Sequence, residues 1–273
     1  MSTARSFPPP LVPKEHGAWA VLFAPILLAA FFVQSVSWNL LLLILCLLFV
    51  FMSYLPMQTL LREVLKPTHR AGKLLQAKVW GPTYLAFGML FLLPLLYRGY
   101  ILIFPLGLLG AGAFVANFFF TRKHPRTIPG DLISVCGLSL GAPAAYYVLT
   151  GKLDAGAFTL WLLNIFYFGG SVLYVHMKIA ATIRKTSAFD LGERLLIGRW
   201  TLAFSLLLIL AALSMEMAGV IKQYMLVAFL PIVLQMVYGT FTLSPKVRFK
   251  NLGFLLLGQS VLFTILAGLI NRL

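Results

Sequence analysis

Two stretches of the chain place an acid or a base beside a cation where an apolar run meets polar residues. The first, Lys14-Glu15-His16-Gly17-Ala18-Trp19, follows a proline-rich opening and leads into a long hydrophobic segment. Lys14 and Trp19 suit the headgroup layer of a membrane and would anchor that segment unaided. Glu15 and His16 are not needed for anchoring, because a carboxylate at a membrane edge costs free energy without a partner, and an acid next to a base can hold or move a proton. The second, Tyr174-Val175-His176-Met177-Lys178, closes another hydrophobic run and continues to Arg184. On a helix, His176 and Lys178 need not converge. Snorkelling accounts for Lys178, which leaves His176 as the group for chemistry. Glu63, beside Arg62, adds a further acid. The candidate catalytic acids and bases are therefore Glu15, His16, Glu63 and His176, with interfacial solvation as the plainer reading of any one of them.

The cations form the second feature. If Arg62, Arg70, Arg122, Lys123, Lys178 and Arg184 converge, they make a basin suited to an anionic head group, with apolar helices beneath it for a tail. Glu63 with Arg62, and Asp190 and Glu193 with Arg194 and Arg199, read more simply as ordinary ion pairs. No phosphate loop, nucleophile elbow or zinc helix is present in the sequence. Cys46 and Cys136 lie far apart within apolar runs and read as small core residues, so no metal site is expected.

The elements that must position these groups are membrane helices. Of 273 residues, 60% are hydrophobic and 11% charged, a composition outside the range of water-soluble domains. A spanning helix takes roughly 20 apolar residues. Spans are expected at about 17–35, 39–60, 79–97, 100–120, 130–150, 157–179, 198–216, 223–241 and 251–270, within one transmembrane domain over 1–273 that opens with a flexible proline-rich leader at 1–13. The weakest separations fall at Gln34 to Asn39 and at Tyr97 to Tyr100. With nine spans, eighteen of the 22 lysines and arginines fall on the side of the N-terminus, and Arg98, Lys152, Lys222 and Arg272 on the other. The positive-inside rule then places the N-terminus in the cytoplasm and the C-terminus outside, in keeping with a bacterial inner membrane. The net charge of +15 thus sets topology, and no nucleic acid partner is expected. No removable signal peptide is evident.

Nine helices, long basic connections after the second and sixth, and the segment Thr121-Arg122-Lys123-His124 leading to Gly137-Leu138-Ser139-Leu140-Gly141 resemble the UbiA superfamily of intramembrane prenyltransferases. The opening Pro13-Lys14-Glu15-His16-Gly17-Ala18-Trp19 resembles the signature of the YwiC-like membrane proteins. The UbiA resemblance implies a helical bundle that binds a prenyl diphosphate through magnesium held by two aspartate-rich motifs at the ends of the second and sixth helices. Here those stretches read Tyr54-Leu55-Pro56-Met57-Gln58-Thr59-Leu60-Leu61-Arg62-Glu63 and Tyr174-Val175-His176-Met177-Lys178-Ile179-Ala180-Ala181, without an aspartate in either. Magnesium needs hard oxygen ligands, so no cofactor is expected.

The reading these residues favour is a binder of an isoprenoid or other anionic amphiphile at a basic cytoplasmic pocket. In its catalytic form this would be a magnesium-independent prenyltransferase, with Arg122, Lys123 and Arg184 at the head group. Membrane lipid or isoprenoid is then the expected partner. The alternatives are a noncatalytic accessory or assembly subunit of a membrane complex and, with less support, a small-solute transporter, since polar residues within the spans are few: Asn117, Asn164, Gln235 and scattered serines.

Overall fold

The computed structural model describes residues 8–13, 16–65, 71–121, 127–184, 186 and 188–272. Among them the helices are α1 (His16–Val33), α2 (Trp38–Leu65), α3 (Ala71–Tyr97), α4 (Ile103–Thr121), α5 (Ile128–Leu138), α6 (Gly141–Thr150), α7 (Ala155–Ile183), α8 (Leu191–Met217), α9 (Leu226–Phe241) and α10 (Phe249–Ile270), and no strand is present among the described residues. Seven segments are long and apolar enough to cross a membrane, α5 and α6 together counting as one, and the helices over Gly17–Val33 and Leu226–Phe241 are shorter and apolar. The described residues therefore hold the nine expected segments, each in its expected place. Leu108, Leu109, Phe119 and Phe120 stand exposed on α4, a surface that suits hydrocarbon and not water.

The chain divides into two compact units, residues 1–15 with 37–105, and residues 16–36 with 106–273. The first is the α2–α3 hairpin. Phe49 stacks on Phe87 and Phe91 at centroid distances of 5.1 and 5.8 Å. At one end Trp80 Nε1 donates to the Pro8 carbonyl at 2.9 Å, tying the proline-rich opening to α3. At the other end Asn39 Nδ2 donates to the Tyr100 hydroxyl at 3.0 Å and Arg98 donates to Asn39 Oδ1. Gly99 has φ 89°, a left-handed conformation that glycine adopts without strain. The weak hydrophobic interruption at 97–100 is thus a true turn.

In the second unit α7 is the central helix, with Leu160, Leu163, Asn164, Tyr167 and Phe168 buried along it. Tyr167 stacks on Phe263 of α10 at 4.2 Å, and Phe263 meets Phe229 of α9 at 5.2 Å. With lipid on every side, helices associate through close packing and not through apolar transfer. That is the role of Gly198 on α8: a Cβ there would lie 2.2 Å from Thr240 Cγ2 of α9.

The fifth span, expected as one helix over 130–150, is two helices meeting at Ser139 and Leu140. Pro143 has no N–H to offer the Ser139 carbonyl four residues earlier, and its ring would crowd that carbonyl in a continuous helix. Ala142 N bonds to Ser139 O at 3.0 Å instead, and Leu140 N to Gly137 O at 3.2 Å. The Cys136 carbonyl, which Leu140 N would serve in an unbroken helix, accepts from Trp161 Nε1 of α7 at 3.0 Å. A backbone group freed inside a membrane segment is thereby satisfied by a neighbouring helix.

Candidate functional site

His176 Nε2 and Asp131 Oδ2 lie 2.8 Å apart, joining the last two turns of α7 to the first turn of α5. Local sequence places both. Thr127 caps α5, its side chain accepting from Gly130 N at 3.2 Å, and Pro129 sits in the first turn where a missing N–H costs nothing. Asp131 follows in that turn, where the helix dipole favours a negative charge. The tight Gly151–Asp154 turn makes α5/α6 and α7 antiparallel, and residues 131 and 176 lie about equally far from it in sequence. The side chain of His176 is 13% exposed and that of Asp131 34%, so the pair reaches the surface of the unit and is not sealed in its core. One turn further along α5, Ser134 accepts from Asn117 Nδ2 of α4, and Asn117 is buried. Asp131 holds the imidazole by Nε2 and so fixes the orientation of the ring.

The cations do not all join this pair. Lys178 turns to the other side of α7, donating to the Gly239 carbonyl at 3.1 Å with Nζ 5.2 Å from the Tyr174 ring centroid. Arg194 donates to the Phe241 carbonyl at 2.7 Å and to the Phe189 carbonyl at 3.1 Å. Gly239 and Phe241 belong to the last turn of α9, so both cations serve the carbonyl end of a helix dipole. Arg184 is exposed at the C-cap of α7. Arg62 is exposed and Glu63 half-buried in the last turn of α2, in the first unit. His16 is the first residue of α1. Glu15, Arg70, Arg122 and Lys123 lie outside the described residues. In chain order, Arg122 and Lys123 directly follow Thr121, which ends α4.

His176 is among the candidates that the sequence singles out, and Asp131 is not. The usable signal was the near-equal distance of both from the turn joining two antiparallel segments. Asp190 and Glu193, read as ion-pair members, instead form a capping box at the start of α8: Glu193 N donates to Asp190 Oδ1 at 2.7 Å and Asp190 N to Glu193 Oε2 at 3.2 Å. The described carboxylates at this end of the unit are thus bonded to His176 or closed into a cap. That donor set does not suit magnesium, which takes a near-octahedral shell of oxygens, and among the described residues no three of His, Cys, Asp and Glu are grouped to hold a metal ion.

An all-helical set of nine apolar segments, with an ionisable pair at one end, defines a polytopic integral membrane protein. The YwiC-like protein family matches residues 12–146. The chain is also 30% identical over 181 residues to the uncharacterized protein YwiC of Bacillus subtilis (strain 168), covering 66% of this chain and 70% of that relative. The chain belongs to the YwiC-like family. No solved structure matches it.

Proposed function

We propose that this protein binds the polar head of an anionic amphiphile, an isoprenoid or a lipid, at the basic membrane boundary where α4 and α7 end and α5 begins, with His176 exchanging a proton with the head group. The observation that carries this is the Asp131–His176 pair. An ionisable residue within a membrane helix is a functional candidate by default, and here two of them meet across two helices. An imidazole oriented by a carboxylate is the usual arrangement for acid–base work. Arg122 and Lys123 follow α4 in sequence, and Arg184 is exposed at the end of α7, so all three are suited to supply positive charge near the head group. In this reading the basic side is cytoplasmic, as the charge asymmetry favours, and the membrane is a bacterial inner membrane. Where a second substrate reaches His176, the same site would act as a transferase of the prenyltransferase kind without a metal. The test is organic extraction and mass spectrometry of lipids co-purifying with the full chain. An anionic or isoprenoid lipid that is retained by the native protein and depleted at least fivefold in His176→Gln supports the reading. Its equal retention in His176→Gln and Asp131→Asn defeats it.

A second reading, a small-solute transporter, is favoured by one observation: the broken α5/α6 segment, since transporters build midplane sites on interrupted helices. Ser139, at the break, and Asn164 of α7 are wholly buried. Counterflow of labelled solutes in proteoliposomes distinguishes the two, because a binder gives no exchange.

A further inference from the structure

The break in the fifth segment also shapes a cleft on the opposite side of the membrane from the Asp131–His176 pair. Its apex is closed where α4 and α5 touch, a Cβ at Gly137 falling 2.7 Å from that of Ala113. Beyond the apex α6 runs against α1, with Gly141 beside Ile26, and a space of about 420 Å³ opens between α4, the α5/α6 elbow and the start of α7. Leu106, Leu109, Ala113, Leu140, Pro143 and Trp161 line it. The volume is in the range of small-molecule sites, about 300–1,000 Å³, and on α4 the lining runs roughly 10 Å along the helix axis.

The walls present carbon. At the elbow the Cys136 carbonyl, freed by the break, is covered by the indole N–H of Trp161, which itself lines the cleft. An apolar space of this kind does not retain water, and hydrocarbon is the solvent within a span. At the mouth the chemistry changes abruptly. Asp154, exposed in the α6–α7 turn, lines the cleft and caps α7, accepting from Gly156 N at 2.9 Å and from the Tyr146 hydroxyl at 3.3 Å. An ionised carboxylate offers about four lone-pair sites, so these two bonds leave acceptor capacity directed at the water layer. With the exposed cation Lys152 two residues earlier, the turn offers one anion for an ammonium group and one cation for a phosphate, a match for a zwitterionic amine–phosphate head that a purely anionic head meets only in part.

We propose that this cleft binds one acyl chain of a phospholipid whose amine-bearing head group pairs with Asp154. The site is independent of the amphiphile reading above, which concerns the other membrane boundary and an anionic head. The test uses the full chain in nanodiscs of equimolar phosphatidylethanolamine and phosphatidylglycerol, with native mass spectrometry of the lipids that survive stripping. The wild type is expected to keep one phosphatidylethanolamine in at least fivefold preference over phosphatidylglycerol. Leu109→Trp fills the cleft from a position that is 62% exposed, so the core is untouched, and this variant loses the retained lipid. Asp154→Asn keeps the helix cap but levels the head-group preference. Unchanged retention in Leu109→Trp overturns the proposal, as does a wild type that shows no preference for the amine head. A lipid lost from His176→Gln but kept by Leu109→Trp belongs to the other site and overturns it as well.

Discussion

The Asp131–His176 contact can be given a number and tested as a double-mutant cycle. For an imidazolium and a carboxylate 2.8 Å apart, the gross attraction at an effective dielectric of about 20 is about 6 kcal/mol. Most of that is offset by desolvation of the two groups, and hydrogen bonds to charged partners contribute about 1.5–3 kcal/mol net. The Asp131 side chain is 34% exposed, so solvent screening puts the expected coupling at the lower end, roughly 1.5 kcal/mol. Asp131→Asn and His176→Gln keep size and hydrogen-bonding capacity while removing the charged pairing. Each single variant should lower the thermal midpoint of detergent-solubilised protein by roughly 3 °C, and the double variant should fall little further. A coupling below about 0.3 kcal/mol, with both single variants as stable as the native chain, would refute the claim that these residues act as a pair.

Other expectations follow from single contacts. Gly198→Ala brings a methyl 2.2 Å from Thr240 Cγ2 and should destabilise by about 1–3 kcal/mol. Adding Thr240→Ala should recover much of the loss in the same thermal assay. Trp161→Phe leaves the Cys136 carbonyl without the indole donor and should cost about 1–2 kcal/mol, read as a lower unfolding midpoint. Lys178→Met removes the bond to the Gly239 carbonyl and should cost about 1 kcal/mol of stability. Lipid retention should be unchanged in that variant, because Lys178 faces α9. Single cysteines placed at positions 62 and 184 should react with an impermeant thiol reagent from the cytoplasmic side, and cysteines at 98 and 152 from the other.

The helix count was legible because it rests on hydrophobic run length, which depends on nothing remote in sequence. Gly99 and the polar residues around Asn39 proved sufficient to part their neighbouring spans. The break at Ser139 was hidden by the same measure, since hydropathy is indifferent to a missing N–H. Pro143 was the local sign of it. The candidate site was legible only in part. His176 stood out as a base near a span end, but its partner lies 45 positions away and follows from antiparallel register, not from any motif. Lys178 reads as a headgroup cation and Arg194 as an ion-pair partner because sequence gives their charge but not their acceptors. Those acceptors are main-chain oxygens in the last turn of α9, which no side-chain pattern announces. The spacing of Asp190 and Glu193 before an apolar run was a readable capping box, overshadowed by the arginines around it.

The elbow at Ser139 and Leu140 bears on how the chain enters a bilayer. α5 has 11 residues and α6 has 10, so each half reaches only about 16 Å along its axis, while the hydrocarbon layer measures about 30 Å. Neither half can lodge by itself, and the joint between them carries a carbonyl whose donor belongs to α7. Together the halves make one apolar span of 23 residues, so the segment can cross as a whole, and the seating of its joint is completed when α7 packs beside it and Trp161 supplies the missing donor.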